Sequence, residues 1–286
     1  MELTVVVQNL GLGGLRSSSG DPEDRWPALA ERIRGAGAPD LVLLQEACGW
    51  SEYGHRQLAR AMDDLDLDAM PIPPSGSGIV PILLYRRETV GRWKIWNTDF
   101  ADQSLHGFGV ACFDVGLPAP LAVVSCHLDP FVADRARDEA KLIATRAYRY
   151  GPYALIGGDL NYPPAHPSSP APDYATMRPY NIAARTRLPS EAGAPLVPDR
   201  RVTEMLAYAG YTDAAWHRYQ QCGNRDLLRA TGTDDRIDAV WVSHPLREAI
   251  TDYRLLDSPA GASDHHGLAV RLDLTRAATD NVWDYR

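Results

Sequence analysis

Two short motifs of this sequence carry groups that can hydrolyse a phosphoester. Ser263-Asp264-His265 and Gly158-Asp159-Leu160-Asn161 each place a carboxylate at or just past the end of an apolar run that is typical of a β-strand. Beside each carboxylate stands a side chain that can donate a hydrogen bond to an oxyanion. Phosphoester hydrolysis needs one carboxylate to hold a divalent cation, another to steer a water molecule, and donors for the developing charge.

Five apolar runs end in or contain a polar group of this kind: Asn9, Glu46, His127, Asp159 and Asp238. Any one of them could equally be a solvated loop residue or a helix cap. Asp238 is the more specific signal, because a carboxylate within a strand that is apolar on both faces is costly to bury unpaired. It needs a cation, a histidine or several hydrogen-bond donors nearby.

The elements that would position these groups are spread along the whole chain. Apolar runs predict strands at residues 3–8, 41–44, 82–85, 110–113, 121–124, 153–156, 237–243 and 268–274. Amphipathic patterns predict helices at 133–149 and 202–209, and a helix that opens at Asp21-Pro22 and buries Trp26, Leu29 and Ile33. Wholly apolar strands are typical of a sheet covered by helices. Since no linker separates two cores, we predict one domain over residues 1–286.

Residues 163–198 interrupt the pattern with nine prolines in 36 residues, too many for a helix or a central strand. We refer to this segment as the insertion. A loop of this length is usually functional or disordered. It starts two residues after Asn161 and contains Arg185 and Arg187, which suit a phosphorylated ligand. We therefore predict that the insertion contacts substrate; the alternative is a variable surface loop without a role.

Composition limits the partners and the compartment. The net charge of −8 and the pI near 5.5 provide no overall basic field for nucleic acid, although a local arginine-lined groove remains compatible with them. We predict no membrane span and no signal peptide, because no apolar stretch is long enough and the N-terminus lacks a basic region. The four cysteines show no metal-ligand spacing, so we expect reduced thiols and a cytoplasmic location.

In chain order, six pieces of the sequence resemble the motifs of the endonuclease/exonuclease/phosphatase superfamily, which has the DNase I-like fold. They are Gln8-Asn9, Leu44-Gln45-Glu46, Cys126-His127-Leu128, Gly158-Asp159-Leu160-Asn161, Arg236-Ile237-Asp238 and Ser263-Asp264-His265. The resemblance implies an α/β fold, a four-layer αββα sandwich of two mixed β-sheets flanked by helices. It also implies a site at one rim of the strands.

The resemblance implies a metal site and a water-activating carboxylate. Glu46 is expected to be the main ligand of Mg²⁺, with Mn²⁺ as an alternative ion, and Asn9 and Asp264 would complete or support that site. Asp159 would orient or deprotonate the attacking water, and Asn161 would donate to the phosphoryl oxygens. Oxygen ligands in small number suit Mg²⁺, which keeps most of its bound water.

Two histidines receive roles from the same resemblance. His265 would stabilise the transition-state charge or protonate the leaving oxygen, with Asp238 holding its ring. His127 resembles a second histidine of the DNase I and sphingomyelinase branches. In the nucleases a glutamate pairs with that histidine, and residues 76–86 offer no obvious equivalent. General acid and phosphate contact therefore both stay open for His127.

These features predict a Mg²⁺-dependent phosphodiester hydrolase, with a nuclease as the first choice and nucleic acid as the first candidate substrate. A small-molecule or lipid phosphodiesterase or phosphatase is the alternative, which the acidic pI favours. A non-catalytic relative that binds a phosphorylated partner is a third reading, although no metal or histidine position is missing. Endonuclease or exonuclease action and the oligomeric state are left open by the sequence.

Overall fold

The computed structural model describes residues 1–257 and 261–280. The strands, in chain order, are β1 Glu2–Asn9, β2 Leu41–Gln45, β3 Asp68–Ala69, β4 Ile82–Tyr85, β5 Ile95–Asn97, β6 Val110–Phe113, β7 Leu121–His127, β8 Ala154–Asp159, β9 Tyr211–Asp213, β10 Asp238–Ser243, β11 Ile250–Leu256 and β12 Gly267–Asp273. The α-helices are α1 Trp26–Gly35, α2 Arg56–Leu65, α3 Arg87–Val90, α4 Ala133–Tyr148, α5 Pro179–Arg185, α6 Arg201–Tyr208 and α7 Ala214–Cys222.

Within this described part the strands form two six-stranded sheets. The first sheet has the order β11-β12-β1-β2-β4-β3, and the second has the order β5-β6-β7-β8-β10-β9. Each sheet is mixed, because β1 runs parallel to β2 and β7 runs parallel to β8 while their other neighbours are antiparallel.

Alternating side chains stack the two sheets into four layers. Val5 and Val7 of β1 lie in the core between the sheets, together with Leu155 and Val240 of the second sheet. Val6 faces the other way and packs with side chains of α1 and α2. The outer face of the second sheet is covered in the same manner by α4 and α6. This arrangement of helix, sheet, sheet and helix confirms the expected αββα sandwich.

The first helix begins later than predicted. It starts at Trp26, and Arg25 is its N-terminal flanking residue. Asp21 belongs instead to a tight turn, in which its carbonyl accepts from the Ser17 N–H at 2.8 Å and its side chain accepts from Ser19. The turn uses the same short polar side chain that would otherwise cap a helix. The buried face of Trp26, Leu29 and Ile33 is as predicted.

The insertion contains a short helix, α5, although its proline content predicted none. Pro179 stands in the first turn, where a missing N–H costs nothing and the fixed φ suits a helix. The segment is also tied to the residues before β10: Ser168 and Tyr174 donate to Asp235 at 2.5 and 2.7 Å, and Asn181 donates to Asp234 at 3.0 Å. The insertion is therefore an anchored part of the fold.

Two further expectations concern covalent links and membranes. All four cysteines lie in the described residues and are free. No helix found in residues 1–257 and 261–280 is long and apolar enough to cross a membrane. The single-domain interpretation of residues 1–286 stays a prediction.

Gly158 of the second motif has a backbone that only glycine can adopt here. Its φ is +150°, and a Cβ at this position would lie 1.8 Å from the Cys126 carbonyl oxygen on β7. Gly116 also has positive φ, at +78°, but a Cβ there would meet no atom within 4 Å. A substitution at Gly116 therefore tests the cost of the positive φ alone, whereas one at Gly158 adds a steric clash with β7.

We expect Gly158→Ala to destabilise the fold by about 3 kcal/mol or more, because the β7–β8 pairing must open to admit the methyl group. Gly116→Ala should cost only about 1 kcal/mol, from the left-handed backbone alone. Urea unfolding of both variants measures the difference. Equal losses would show that β7 and β8 do not approach each other as described.

Candidate active site

Strand register brings three of the predicted residues side by side at one rim of the second sheet. Asp159 at the end of β8 pairs with His127 at the end of parallel β7, and with Asp238 at the start of antiparallel β10. At the neighbouring rim of the first sheet, Asn9 ends β1 and Glu46 follows β2 directly. The chain thus gathers its polar strand ends at one edge of the sandwich.

Asn9 links the two sheets through its side-chain amide. Its Nδ2 donates to Glu46 Oε1 at 3.2 Å and to Asp159 Oδ2 at 3.0 Å, while its Oδ1 accepts from the Gly11 N–H at 3.0 Å. The amide oxygen accepts from the backbone, and the amide donors face the two carboxylates. In this orientation Asn9 supports Glu46, and its place in the metal site stays a prediction.

Glu46 and Asp264 converge on the turn that follows β1. Glu46 Oε2 accepts from the Leu12 N–H at 2.9 Å. Asp264 lies close to Gly11 of the same turn, because its Oδ1 is only 3.2 Å from the point where a Cβ on Gly11 would stand. Glu46 is half-buried and Asp264 is exposed, so the two carboxylates border solvent. Oxygen donors beside open water fit a hard divalent cation, which retains several water ligands. These two residues are the best candidates to hold a metal.

Asp159 stands at the centre of the site and is almost completely buried. Its Oδ2 accepts from Asn9 and lies 3.7 Å from His127 Nε2 and 3.9 Å from His265 Nε2. Its Oδ1 accepts from the Asn161 N–H at 2.8 Å. One carboxylate oxygen is therefore approached by an amide and two imidazoles, which fixes the side chain in one orientation.

Asn161 has a left-handed backbone with φ of +62°. Asparagine tolerates this region better than most residues do. Its Nδ2 donates one hydrogen bond to the Leu128 carbonyl at 2.9 Å. The second amide hydrogen is then available to a ligand at the rim.

Asp238 and His265 form a buried ion pair in which Nδ1 of the histidine lies 2.8 Å from Asp238 Oδ2. Burial by itself lowers the pKa of His265, but the charge and hydrogen bond of Asp238, helped by Asp159 and Asp264, raise the pKa to about 10. Burial also raises the pKa of Asp238, which would draw the shared proton toward the carboxyl group. We place the proton on His265, because several carboxylates surround its ring.

Asp159, Asp238 and His265 have ligand atoms within 4.8 Å of one another, so they form a compact acidic and histidine cluster. The imidazole is a weak candidate for a metal ligand while its pKa stays raised, because a protonated ring carries a hydrogen on Nε2 and offers no lone pair. Asp238 Oδ1 is buried and has no hydrogen-bond partner among the described residues. The excess negative charge of this rim favours a bound cation, and Glu46 and Asp264 offer the accessible oxygens.

Thr231 holds the ion pair together and was not predicted from the sequence. Its Oγ1 accepts from the Asp238 N–H at 2.8 Å, and its carbonyl accepts from the His266 N–H at 2.7 Å. One buried residue therefore connects the strand that carries Asp238 with the segment that carries His265. No local pattern marks this threonine; only the spatial pairing shows it.

Ser263 and Arg32 fix the other side of His265. Ser263 Oγ donates to the Asn9 carbonyl at 2.8 Å and accepts from the His265 N–H at 3.1 Å. Arg32 of α1 donates to the His265 carbonyl at 3.0 Å. The Ser-Asp-His motif thus has a structural first residue, which ties the C-terminal motif to the end of β1.

His127 is buried next to a histidine that the sequence did not indicate. The rings of His106 and His127 are stacked, with centroids 4.1 Å apart and an angle of 13° between the planes. Only a long-range contact brings these rings together, because the two residues lie in different segments.

Arg185 and Arg187 of the insertion are each paired with acidic side chains of the protein. Arg185 Nη1 lies 3.6 Å from Asp234, and its side chain is only 11% exposed. Arg187 lies 3.8 Å from Glu204 and 4.0 Å from Asp199, and its side chain is 48% exposed. Arg187 therefore has a free surface for a ligand, whereas Arg185 mainly holds the insertion against Asp234. Their role as substrate contacts stays a prediction.

Several solved structures share this fold. The endonuclease domain of TRAS1, a telomere-specific non-LTR retrotransposon, is 16% identical with a TM-score of 0.55, and the match covers 96% of this chain and 99% of that one. TDP2 of D. rerio complexed with single strand DNA product is 13% identical with a TM-score of 0.57, covering 95% and 99%. ANGEL2, a 2',3'-cyclic phosphatase, is 12% identical with a TM-score of 0.58, covering 95% of both chains.

No curated protein matches this sequence significantly. A family model described as the Endonuclease/Exonuclease/phosphatase family, however, matches residues 8–265, and this range runs from the first of the six motifs to the last. The fold and the clustered motif residues agree with that match. The chain therefore belongs to the endonuclease/exonuclease/phosphatase family and is a metal-dependent phosphoester hydrolase.

Proposed function

We propose that this protein is a Mg²⁺-dependent phosphodiesterase that uses a metal-associated water, and that its substrate is nucleic acid. The observation that carries the proposal is the surrounding of Asp159. Its Oδ2 lies 3.0 Å from the Asn9 amide and within 4 Å of two imidazoles, next to the carboxylate of Glu46. A fixed carboxylate among donors is suited to orient a water molecule against a phosphorus atom.

Glu46 and Asp264 would hold the cation, and Asn9 would orient Glu46. A bound Mg²⁺ supplies charge stabilisation and lowers the pKa of a coordinated water. The donor set supports this ion, because it consists of carboxylate oxygens at a solvent-facing rim. Mn²⁺ prefers similar ligands and is the alternative.

Asp159 would accept the proton of the attacking water or orient that water. Asn161, with one amide hydrogen committed to Leu128, would donate the other to a phosphoryl oxygen. The backbone N–H of Asn161 bonds to Asp159, so the base and the donor are held as one unit. This unit derives from the Gly-Asp-Leu-Asn motif at the end of β8.

His265 would act as a cationic group beside the phosphoryl group, since its Nε2 lies 3.9 Å from Asp159 Oδ2. Its Nδ1 is bonded to Asp238, which leaves Nε2 to face the reaction centre. The pKa of His265, raised to about 10, keeps the imidazolium charged at neutral pH. Such a group can stabilise transition-state charge and donate a proton to the leaving oxygen.

Exposed aromatic residues on loops near the site favour nucleic acid. Phe131 is 74% exposed on the loop that follows β7, and Tyr53 is 88% exposed on the loop that follows Glu46. The first loop is rigid, because buried Asp129 accepts from the Phe131 and Val132 N–H groups at 2.7 and 2.9 Å. Exposed aromatic rings are typical stacking platforms for unpaired bases. The structural similarity to TDP2 bound to single-stranded DNA product supports the same substrate class.

A small-molecule or lipid phosphoester is the second candidate, favoured by the net charge of −8. Initial rates on single-stranded DNA, single-stranded RNA, sphingomyelin and inositol phosphates at equal Mg²⁺ separate the two. We expect cleavage of a polynucleotide with the highest kcat/KM. A preference for sphingomyelin or an inositol phosphate would assign the second candidate.

The cytoplasmic location inferred from the free thiols stays part of this proposal.

The first site prediction concerns the cation. Glu46→Gln keeps the side-chain volume and removes the charge, so we expect Mg²⁺ affinity and turnover each to fall at least about 100-fold. Calorimetric titration with Mg²⁺ and hydrolysis rates measure the two effects. Glu52→Gln, an exposed residue of the same loop, should leave both unchanged. Full activity of Glu46→Gln at ordinary Mg²⁺ would contradict the assignment.

The second prediction concerns the base and the imidazolium. Asp159→Asn and His265→Ala should each lower kcat by about 10² to 10⁴. Because both would act on one transition state, the double variant should lose much less than the product of the two single losses. Multiplicative losses would indicate that the two residues serve separate steps.

The third prediction separates the two arginines. Arg187→Ala should raise the KM for a single-stranded DNA oligonucleotide several-fold, because it removes about one contact with a phosphate. Hydrolysis of bis-p-nitrophenyl phosphate should stay unchanged, because that substrate is too small to reach Arg187. Arg185→Ala should differ from Arg187→Ala by lowering the stability of the fold, because it removes the ion pair with Asp234. Arg247→Ala, beyond the opposite end of β10, is the control for lost surface charge. Equal effects of Arg187→Ala on both substrates would place Arg187 in the reaction centre or in folding.

A further inference from the structure

His106 packs against His127, a histidine for which residues 76–86 offer no obvious carboxylate partner. Both side chains are buried, with exposures of 3% and 5%. Their rings lie face to face, 4.1 Å between centroids and 13° from parallel. The chain thus places an aromatic surface against a histidine at the proposed reaction centre.

The ring of His106 and the backbone on either side of it are held by three sets of contacts. The Leu105 N–H donates to Glu139 Oε1 at 2.8 Å, and the same glutamate accepts from the Asp129 N–H at 2.8 Å. Gly107 has φ of +73°, and a Cβ there would lie 1.9 Å from the Pro74 carbonyl oxygen. Ser77 Oγ lies 2.8 Å from His106 Nδ1. These contacts fix the ring of His106 relative to the loop that follows His127.

The His127 ring makes no comparable hydrogen bond to any residue that the structure describes. Its Nδ1 is buried without a hydrogen-bond partner among the described residues, and its Nε2 stands 3.7 Å from Asp159 Oδ2, beyond hydrogen-bond distance. In most active sites one ring nitrogen of a histidine is held by a carboxylate or carbonyl, which sets the ring orientation. For His127, packing must set it, and His106 covers one face of the ring.

The charge state of the pair is consistent with stacking. Burial, followed by the proximity of His127, lowers the pKa of His106 to about 4. Burial also lowers the pKa of His127 below its usual value. Both rings are therefore neutral near pH 7, and two neutral rings stack without charge repulsion. A neutral His127 can contact a phosphoryl oxygen through an N–H group, whereas an imidazolium would be needed for a general acid.

We propose that His106 is a positioning residue for His127, whose ring plane it fixes by stacking so that Nε2 faces Asp159 and the phosphoryl group. The proposal rests on the proposed hydrolytic function, and it adds to that function a contact between the neutral His127 ring and the substrate phosphate.

Three variants separate the stacking surface from the polar contact with Ser77. His106→Phe retains a flat ring, and His106→Gln retains a polar group but no ring. His106→Ala retains neither. With bis-p-nitrophenyl phosphate and Mg²⁺, we expect kcat to fall about 10- to 100-fold for the alanine and glutamine variants, the usual scale of a misplaced catalytic group. His106→Phe should stay within about threefold of the wild type, with KM little changed in all three.

A double-mutant cycle tests whether His106 acts through His127. In a His127→Ala background, His106→Ala should lower kcat by less than about threefold, because the ring to be positioned is absent. The same large loss in both backgrounds would overturn the proposal, as would wild-type kcat for His106→Ala. Leu105→Ala, in the same loop but without a ring contact to His127, controls for loss of stability and should keep kcat.

A spectroscopic measurement makes the test independent of turnover. In ¹⁵N-histidine-labelled protein, the His127 ring nitrogens should show one tautomer and one conformation in the wild type and in His106→Phe. They should show exchange broadening or mixed tautomers in His106→Ala. Unchanged His127 signals in His106→Ala would overturn the proposal. Absence of Mg²⁺-dependent hydrolysis by the wild type would instead refute the proposed function, with the spectra still deciding the role of His106.

Discussion

The register between β7, β8 and β10 is the constraint on which the site depends. It aligns His127, Asp159 and Asp238 in one row across the sheet. A shift of one residue would turn each side chain to the other face, because strand side chains alternate with a period of two. The core between the sheets opposes such a shift, since Leu155 and Val240 would leave it. Hydrophobic alternation therefore sets the positions of the polar rim.

Charge balance then explains why so many ionisable groups can lie together. Asp159 and Asp238 are nearly inaccessible to water, and unpaired charges there would be costly. The His265 imidazolium offsets one of them, and amide donors from Asn9 and Asn161 solvate the other. With Glu46 and Asp264 added, the rim still carries more negative than positive charge. A divalent cation beside Glu46 would complete the balance, so metal binding and substrate binding are expected to be linked.

Sequence patterns predicted the residues at strand ends because those signals are local. Apolar runs that stop at Glu46 or Asp159 locate both the strand and its polar end, and the order of the motifs indicates the fold. The pattern could not reveal Thr231 or His106, whose roles arise from contacts between distant segments. It also placed the start of α1 too early, because Asp21 suits a turn as well as a helix cap. Proline content likewise concealed α5, since a first-turn proline is compatible with a helix.

The central claim is that the carboxylates of this rim bind a divalent ion and use it to hydrolyse a phosphodiester. The most direct measurement is the rate of hydrolysis of bis-p-nitrophenyl phosphate by protein stripped with EDTA and then titrated with Mg²⁺. We predict negligible activity without metal, a saturable recovery with Mg²⁺, and a recovered rate at least about 100-fold lower in the Asp159→Asn variant. Equal rates with and without the ion, or equal recovery in the variant, would contradict the central claim.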